Sequence, residues 1–184
     1  MKKLVELRLI GITLPERYGG QGQTALEAIL AIEELARGTP LAAWPVFESS
    51  VEPVRVIEQF GTEGLKQKYI PPVPRGEMWI GAAMTEPEAG SALTDLTTKA
   101  VLDGDYYVVN GQKRFVSGGC VADAYVTYVR LSEERGARGI GALVIEKGTP
   151  GFSFGKQEQF MGLRGIPSSD LMFDDCRVPR KTLL

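Results

Sequence analysis

The sequence predicts an α+β fold: a fragment of a helical bundle over residues 1–76, then an antiparallel β-barrel or sandwich domain over residues 77–184. Three observations predict it. Apolar residues recur with a helical period between Thr24 and Arg37. The run Pro71-Pro72-Val73-Pro74-Arg75-Gly76 is incompatible with a helix and reads as a rigid linker. Beyond it the chain becomes a series of short β-prone runs separated by Gly-rich turns, the texture of an antiparallel barrel.

The elements follow in order. Glu16 to Gly22, with three glycines, reads as a loop. Thr24 followed by Glu27 is a capping-box pattern, and Gly38-Thr39-Pro40 is a stop signal, so a helix spans Thr24 to Arg37. Its aliphatic residues, among them Leu26, Ile29 and Leu30, are expected in the core. A second helix starts near Leu41 and ends or kinks at Pro45 or Pro53. A third runs from Pro53 to Phe60, and Thr62 caps a short one through Tyr69. The strand candidates are Met78–Thr85, Lys99–Leu102, Tyr106–Val109, Gln112–Ser117, Ala124–Leu131, Ile140–Glu146, Phe152–Gln157 and Asp170–Phe173. Asn110-Gly111 between two β-prone runs predicts a type I′ hairpin turn.

Composition excludes several classes. With 21 basic and 23 acidic side chains the net charge is −2, which leaves no basic stripe for nucleic acid and no polybasic membrane anchor. No apolar run approaches the ~20 residues of a spanning helix, and the charged start Met1-Lys2-Lys3 lacks the apolar stretch of a signal peptide. Histidine is absent, so Ser-His and Cys-His nucleophiles and His-ligated metals are excluded. Two cysteines, Cys120 and Cys176, are too few for a thiolate metal site. They read as reduced thiols of a cytoplasmic protein, with one long-loop disulfide as the alternative. Redox chemistry here would require a borrowed cofactor.

Two segments could carry chemistry. In Met84-Thr85-Glu86-Pro87-Glu88-Ala89-Gly90-Ser91, Thr85 and Ser91 supply hydroxyls and Gly90 permits close backbone approach, a loop suited to carbonyl and phosphate oxygens. An ordinary Gly-Ser surface turn is the alternative. In Lys113-Arg114-Phe115-Val116-Ser117-Gly118-Gly119, alternation puts Phe115 and Ser117 on one strand face, where a planar ring could lie on Phe115 while Ser117 donates to it. A core Phe beside an exposed Ser is the alternative. Glu86 and Glu88 read as solvated loop carboxylates, and Gly162-Leu163-Arg164-Gly165 as an exposed turn.

Ala82 to Ser91 closely resembles the flavin-loop signature of the acyl-CoA dehydrogenases, and Asn110 to Gly119 resembles their second flavin segment. Leu14-Pro15-Glu16-Arg17-Tyr18-Gly19-Gly20, Glu146 to Phe152 and Phe173 to Pro179 resemble further turns of that family, in the same order and at similar spacing. The resemblance covers nearly the whole chain. It implies FAD, an acyl-CoA substrate, removal of hydrogens from the carbons α and β to a thioester, and a homo-oligomer. It implies that Met84 and Thr85 meet the flavin pyrimidine edge, where reduction builds negative charge. Gly90 and Ser91 would face the pyrophosphate and the acyl-CoA, and Phe115, Val116 and Ser117 would flank the ring with Ser117 towards N5.

There are departures from the pattern. Phe115 stands where the family has Trp, Ser117 where it has Thr, and Ala92 where it has Asp. The family's C-terminal helical domain, which carries the catalytic Glu, has no counterpart up to Leu184, so no catalytic residue is assigned. The expectation is a flavin- and acyl-CoA-binding portion that works with those helices supplied in trans. The alternatives are a non-catalytic remnant or interaction module, or an oxidase or monooxygenase of the same fold.

Overall fold

A computed structural model describes residues 1–184. It divides into two units: residues 1–80 with 160–166, and residues 81–159 with 167–184. The first holds helices α1 (Lys2–Glu6), α2 (Ala25–Gly38), α3 (Pro40–Ser50), α4 (Val54–Phe60) and α5 (Glu63–Tyr69). The caps form as the sequence dictates. Thr24 Oγ1 accepts from the Leu26 N–H while Glu27 accepts from the Thr24 N–H at 2.9 Å, and Thr62 Oγ1 accepts from the Leu65 N–H at 3.4 Å. Pro45 lies inside α3 without ending it. The core of this unit gathers Ile10, Ile12, Leu14, Tyr18, Val46, Val54, Ile57 and Tyr69.

One helical expectation is corrected. In α2 only Ala28 is buried, whereas Leu26, Ile29 and Leu30 are 65%, 48% and 52% exposed. Periodicity tells which residues share a face; it does not supply an element to cover that face.

The second unit is a single seven-stranded mixed sheet forming half a barrel. Its strands are β1 (Ile80–Ala83), β2 (Lys99–Asp103), β3 (Tyr106–Ser117), β4 (Ala124–Arg130), β5 (Ile140–Glu146), β6 (Phe152–Gln157) and β7 (Ser168–Pro179). They run in the order β1-β4-β2-β3-β7-β6, with β5 on β4. The β2–β3, β3–β7, β4–β5 and β6–β7 ladders are antiparallel, while β2 meets β4 in parallel at Lys99 and Arg130. That parallel contact makes the sheet mixed rather than wholly antiparallel.

Asn110-Gly111 is not a hairpin turn. β3 runs straight through it, and the turn between β2 and β3 is Gly104-Asp105, between the paired Asp103 and Tyr106. Gly104 has φ 59°, the positive φ a two-residue turn of the II′ class needs at its first position. Asn110 instead clamps β7: its Nδ2 donates to Asp175 Oδ1 at 3.0 Å, and its Oδ1 accepts from the Asp175 N–H at 2.8 Å. The register between β3 and β7 shifts here, and Gly111 lets Thr98 approach so closely that a Cβ would lie 2.7 Å from the Thr98 Cα. Gly111→Ala is therefore expected to destabilise the sheet by about 1–3 kcal/mol. Gly38→Ala, at a helix end with open space around it, should be neutral or stabilising by up to about 1 kcal/mol. Thermal melts of the two variants check the contrast.

The last strand is also longer than expected. β7 extends from Ser168 to Pro179 because it pairs with β3 along nearly its full length, which the apolar run Asp170–Phe173 alone does not show.

Candidate flavin-facing site

Met84 and Thr85 leave the end of β1 half-buried, and Arg114 of β3 donates its N–H to the Thr85 carbonyl at 2.7 Å. The two sequence segments singled out above therefore meet through the backbone. A second approach is visible at Gly81, where a Cβ would lie 2.9 Å from the Ser117 carbonyl and 3.0 Å from the Tyr125 ring. A side chain there would push β1 away from the end of β3.

The contact is fastened by a buried ion pair that the sequence reading missed. Glu86 is not a solvated loop carboxylate: it is 4% exposed, and Lys113 on β3 is 0% exposed. Lys113 Nζ donates to Glu86 Oε1 at 2.7 Å and to the Met84 carbonyl at 3.2 Å. Glu86 Oε2 accepts from the Thr97 N–H at 2.6 Å and the Thr97 hydroxyl at 2.9 Å, and Oε1 accepts from the Thr98 N–H at 2.9 Å. Burial pushes the Glu86 carboxyl up, but Lys113 and the threonine donors outweigh it and hold it at about 2. Burial pulls the Lys113 ammonium down, and Glu86 opposes that pull. A signal for the pair was present: alternation from Val109 through Gly111 points residue 113 inward, and an inward lysine demands a carboxylate.

Phe115 and Ser117 do not share a face by simple alternation, because the register between β3 and β7 shifts again between Lys113 and Val116. Phe115 sits on this irregularity at φ 55° and is 48% exposed. A positive φ is uncommon for a bulky residue and needs support from its surroundings. Asp170 on β7 supplies it, accepting from Gln112 Nε2 at 2.8 Å, from the Phe115 N–H at 3.4 Å and from Arg114 Nε at 3.4 Å. The Arg114 guanidinium lies 4.6 Å from the centroid of the Phe115 ring. Val116 is buried in the core and Ser117 is half-buried opposite Ser168. Gly90 and Ser91 are exposed, with open space where a Gly90 Cβ would stand, so the chain's own packing does not require glycine at that position.

The donor set suits a flavin edge. The Thr85 and Ser117 hydroxyls make no hydrogen bond within the chain and are not sealed from solvent, so both are available to carbonyl and ring-nitrogen acceptors. An exposed aromatic ring and a glycine-lined backbone stand on the same segment as Ser117. Both cysteines are free thiols, no group of residues is arranged to hold a metal ion, and no helix is long and apolar enough to cross a membrane.

The chain is similar to known proteins along its whole length. Residues 81–176 match the family model "Acyl-CoA dehydrogenase, middle domain", and residues 1–77 match "Acyl-CoA dehydrogenase, N-terminal domain". The chain is 39% identical to a short-chain specific acyl-CoA dehydrogenase of Clostridium acetobutylicum, over 100% of this chain and 48% of that protein. It superposes on butyryl-CoA dehydrogenase from Megasphaera elsdenii with a TM-score of 0.91 at 35% identity, covering 99% of this chain and 49% of that one. A glutaryl-CoA dehydrogenase from Mycobacterium smegmatis in complex with FADH2 gives 0.91 at 26%, covering 99% and 46%. The chain thus spans about half the length of the relatives it matches. Two family domains matched in order, on a fold whose motif segments are hydrogen-bonded to each other, place this chain in the acyl-CoA dehydrogenase family.

Proposed function

We propose that this chain is the flavin- and acyl-CoA-binding portion of an acyl-CoA dehydrogenase. The observation that carries the reading is the Arg114 N–H to Thr85 carbonyl bond, which brings the two flavin-type segments side by side. Met84 and Thr85 would meet the pyrimidine edge of FAD, with the Thr85 hydroxyl donating where reduction builds negative charge. Ser117 would donate towards N5, Phe115 would cover the ring, and the Val116 backbone would line it. Gly90 and Ser91, exposed and uncrowded, would face the pyrophosphate and the acyl-CoA. When bound, FAD supplies the hydride acceptor for α,β-dehydrogenation of the thioester. The two free thiols suit a reducing cytoplasm.

Proton abstraction from the α carbon needs a carboxylate beside the substrate. Glu86 cannot supply it, because both its oxygens are engaged by buried donors. A C-terminal helical domain, covalently attached or supplied in trans, or a further copy of this chain, would complete the site. The expected result is that titration of the chain with FAD quenches flavin fluorescence saturably. With an acyl-CoA and an artificial electron acceptor the 184 residues alone give no dehydrogenation, since a positioned base typically contributes 10²–10⁴-fold. No quenching at high FAD concentration would favour the non-catalytic remnant. Turnover by the chain alone would overturn the need for a base from outside.

A further inference from the structure

We propose that Lys113 and Glu86 are positioning residues for the flavin contact: their buried ion pair aims the Thr85 N–H at the ligand by fixing the Met84 carbonyl from behind. The inference rests on the flavin reading above and deepens it.

Two charges withdrawn from water gain little net stability over apolar groups of the same volume. What an apolar pair cannot provide is a directed bond. Lys113 Nζ spends one N–H on Glu86 and another on the Met84 carbonyl, at 2.7 and 3.2 Å. The neighbouring residue on the same strand, Arg114, takes the Thr85 carbonyl with its N–H at 2.7 Å. Two successive carbonyls of the loop are thereby engaged from the β3 side.

Peptide planarity converts this into an orientation. The Met84 carbonyl and the Thr85 N–H belong to one trans peptide, so they point in opposite directions. A carbonyl held towards the buried Lys113 turns the Thr85 N–H away from it. Glu86 makes the arrangement rigid rather than merely neutral. It anchors Lys113 and is itself tied to the Thr97 and Thr98 N–H groups that lead into β2, while the turn beyond is closed by reciprocal Glu86–Ala89 backbone bonds at 3.0 and 3.3 Å. Lys113 and Glu86 touch no ligand; they act through the Met84–Thr85 peptide.

The test uses the full chain, the Lys113→Met variant and the Glu86→Gln/Lys113→Met double variant. The double variant removes both charges and keeps one amide oxygen as acceptor for the Thr97 N–H and hydroxyl, so no charge is left buried alone and it should fold even where the single variant does not. Three quantities are read: FAD affinity by fluorescence titration, the visible spectrum of the flavin at saturation, and hydrogen exchange of the Thr85 and Arg114 amides without ligand. The expected result is a folded double variant that binds FAD at least tenfold more weakly. Its bound-flavin spectrum is altered, and its Arg114 amide exchanges faster than in the parent. A folded double variant that binds FAD within twofold of the parent, with an unchanged spectrum and a still-protected Arg114 amide, would overturn the positioning role. A parent chain that binds no FAD would instead overturn the flavin reading itself.

Discussion

Lys113→Met is expected to destabilise the sheet unit by about 3–5 kcal/mol, because it leaves the Glu86 charge buried with its main partner gone. The parent's pH dependence should show the same pair from the other side. Glu86 is held at about 2 in the folded chain against an ordinary 4.5. A depressed carboxyl contributes stability that is present above its unfolded pKa and is lost as pH falls through the folded value. The contribution is therefore complete above pH 4.5 and disappears between 4.5 and about 2, a loss of about 3 kcal/mol. In Lys113→Met this acid limb should flatten, since Glu86 then has far less reason to stay ionised. Denaturant unfolding of both proteins from pH 2.5 to 7 measures it. A variant with the parent's stability and the parent's acid limb would show that the pair carries neither effect. The Glu86→Gln/Lys113→Met double variant should recover most of the loss, because neither partner is left charged alone.

Glu48→Gln is expected to stabilise the helical unit at pH 8 and to change it little near pH 4.5. Glu48 lies on α3, is 6% exposed, and accepts from the Trp79 indole N–H at 2.5 Å. Burial, with the charge of Glu52 adding, pushes its carboxyl up to about 7 despite that hydrogen bond. A raised carboxyl reverses the sign met at Glu86. Its stabilising contribution is present below the ordinary value of 4.5 and is lost as pH rises through about 7. Ionisation at pH 8 thus costs about 3 kcal/mol relative to acid, which glutamine avoids while keeping an acceptor for Trp79. At about 2–4 °C per kcal/mol, the melting temperature of the variant should exceed the parent's by on the order of 5–10 °C at pH 8. Equal melting temperatures across the pH range would mean that Glu48 ionises in the fold as easily as in water. With Glu86 losing its contribution below pH 4.5 and Glu48 losing its contribution above it, these two groups place the parent's greatest stability near pH 4.5.

Local signals were legible where local chemistry decides them. The capping box at Thr24 and Glu27 and the cap at Thr62 form as read, because each satisfies orphan N–H groups within a few residues of itself. The linker at residues 71–76 stays non-helical because proline forbids the helix. Most strands lie close to where β-prone residues cluster. The Asn-Gly step shows the limit. It has the local preference for a turn, yet pairing with β7 and the close approach of Thr98 use the same dipeptide to shift a strand's register. Register and ladder length are non-local quantities, so neither this nor the full reach of β7 could be read from the dipeptide or from the apolar run.

By itself the sequence determined the fold class, the family and the two segments that form the candidate site, because caps, strand propensity and motif spacing are written in consecutive residues. Only the tertiary structure decided that Glu86 is buried against Lys113, that Asp170 supports the backbone of Phe115, and that α2 leaves Leu26, Ile29 and Leu30 open. Each of these depends on which distant residue comes within hydrogen-bonding or packing range, and desolvation then sets what a charge or an apolar face costs.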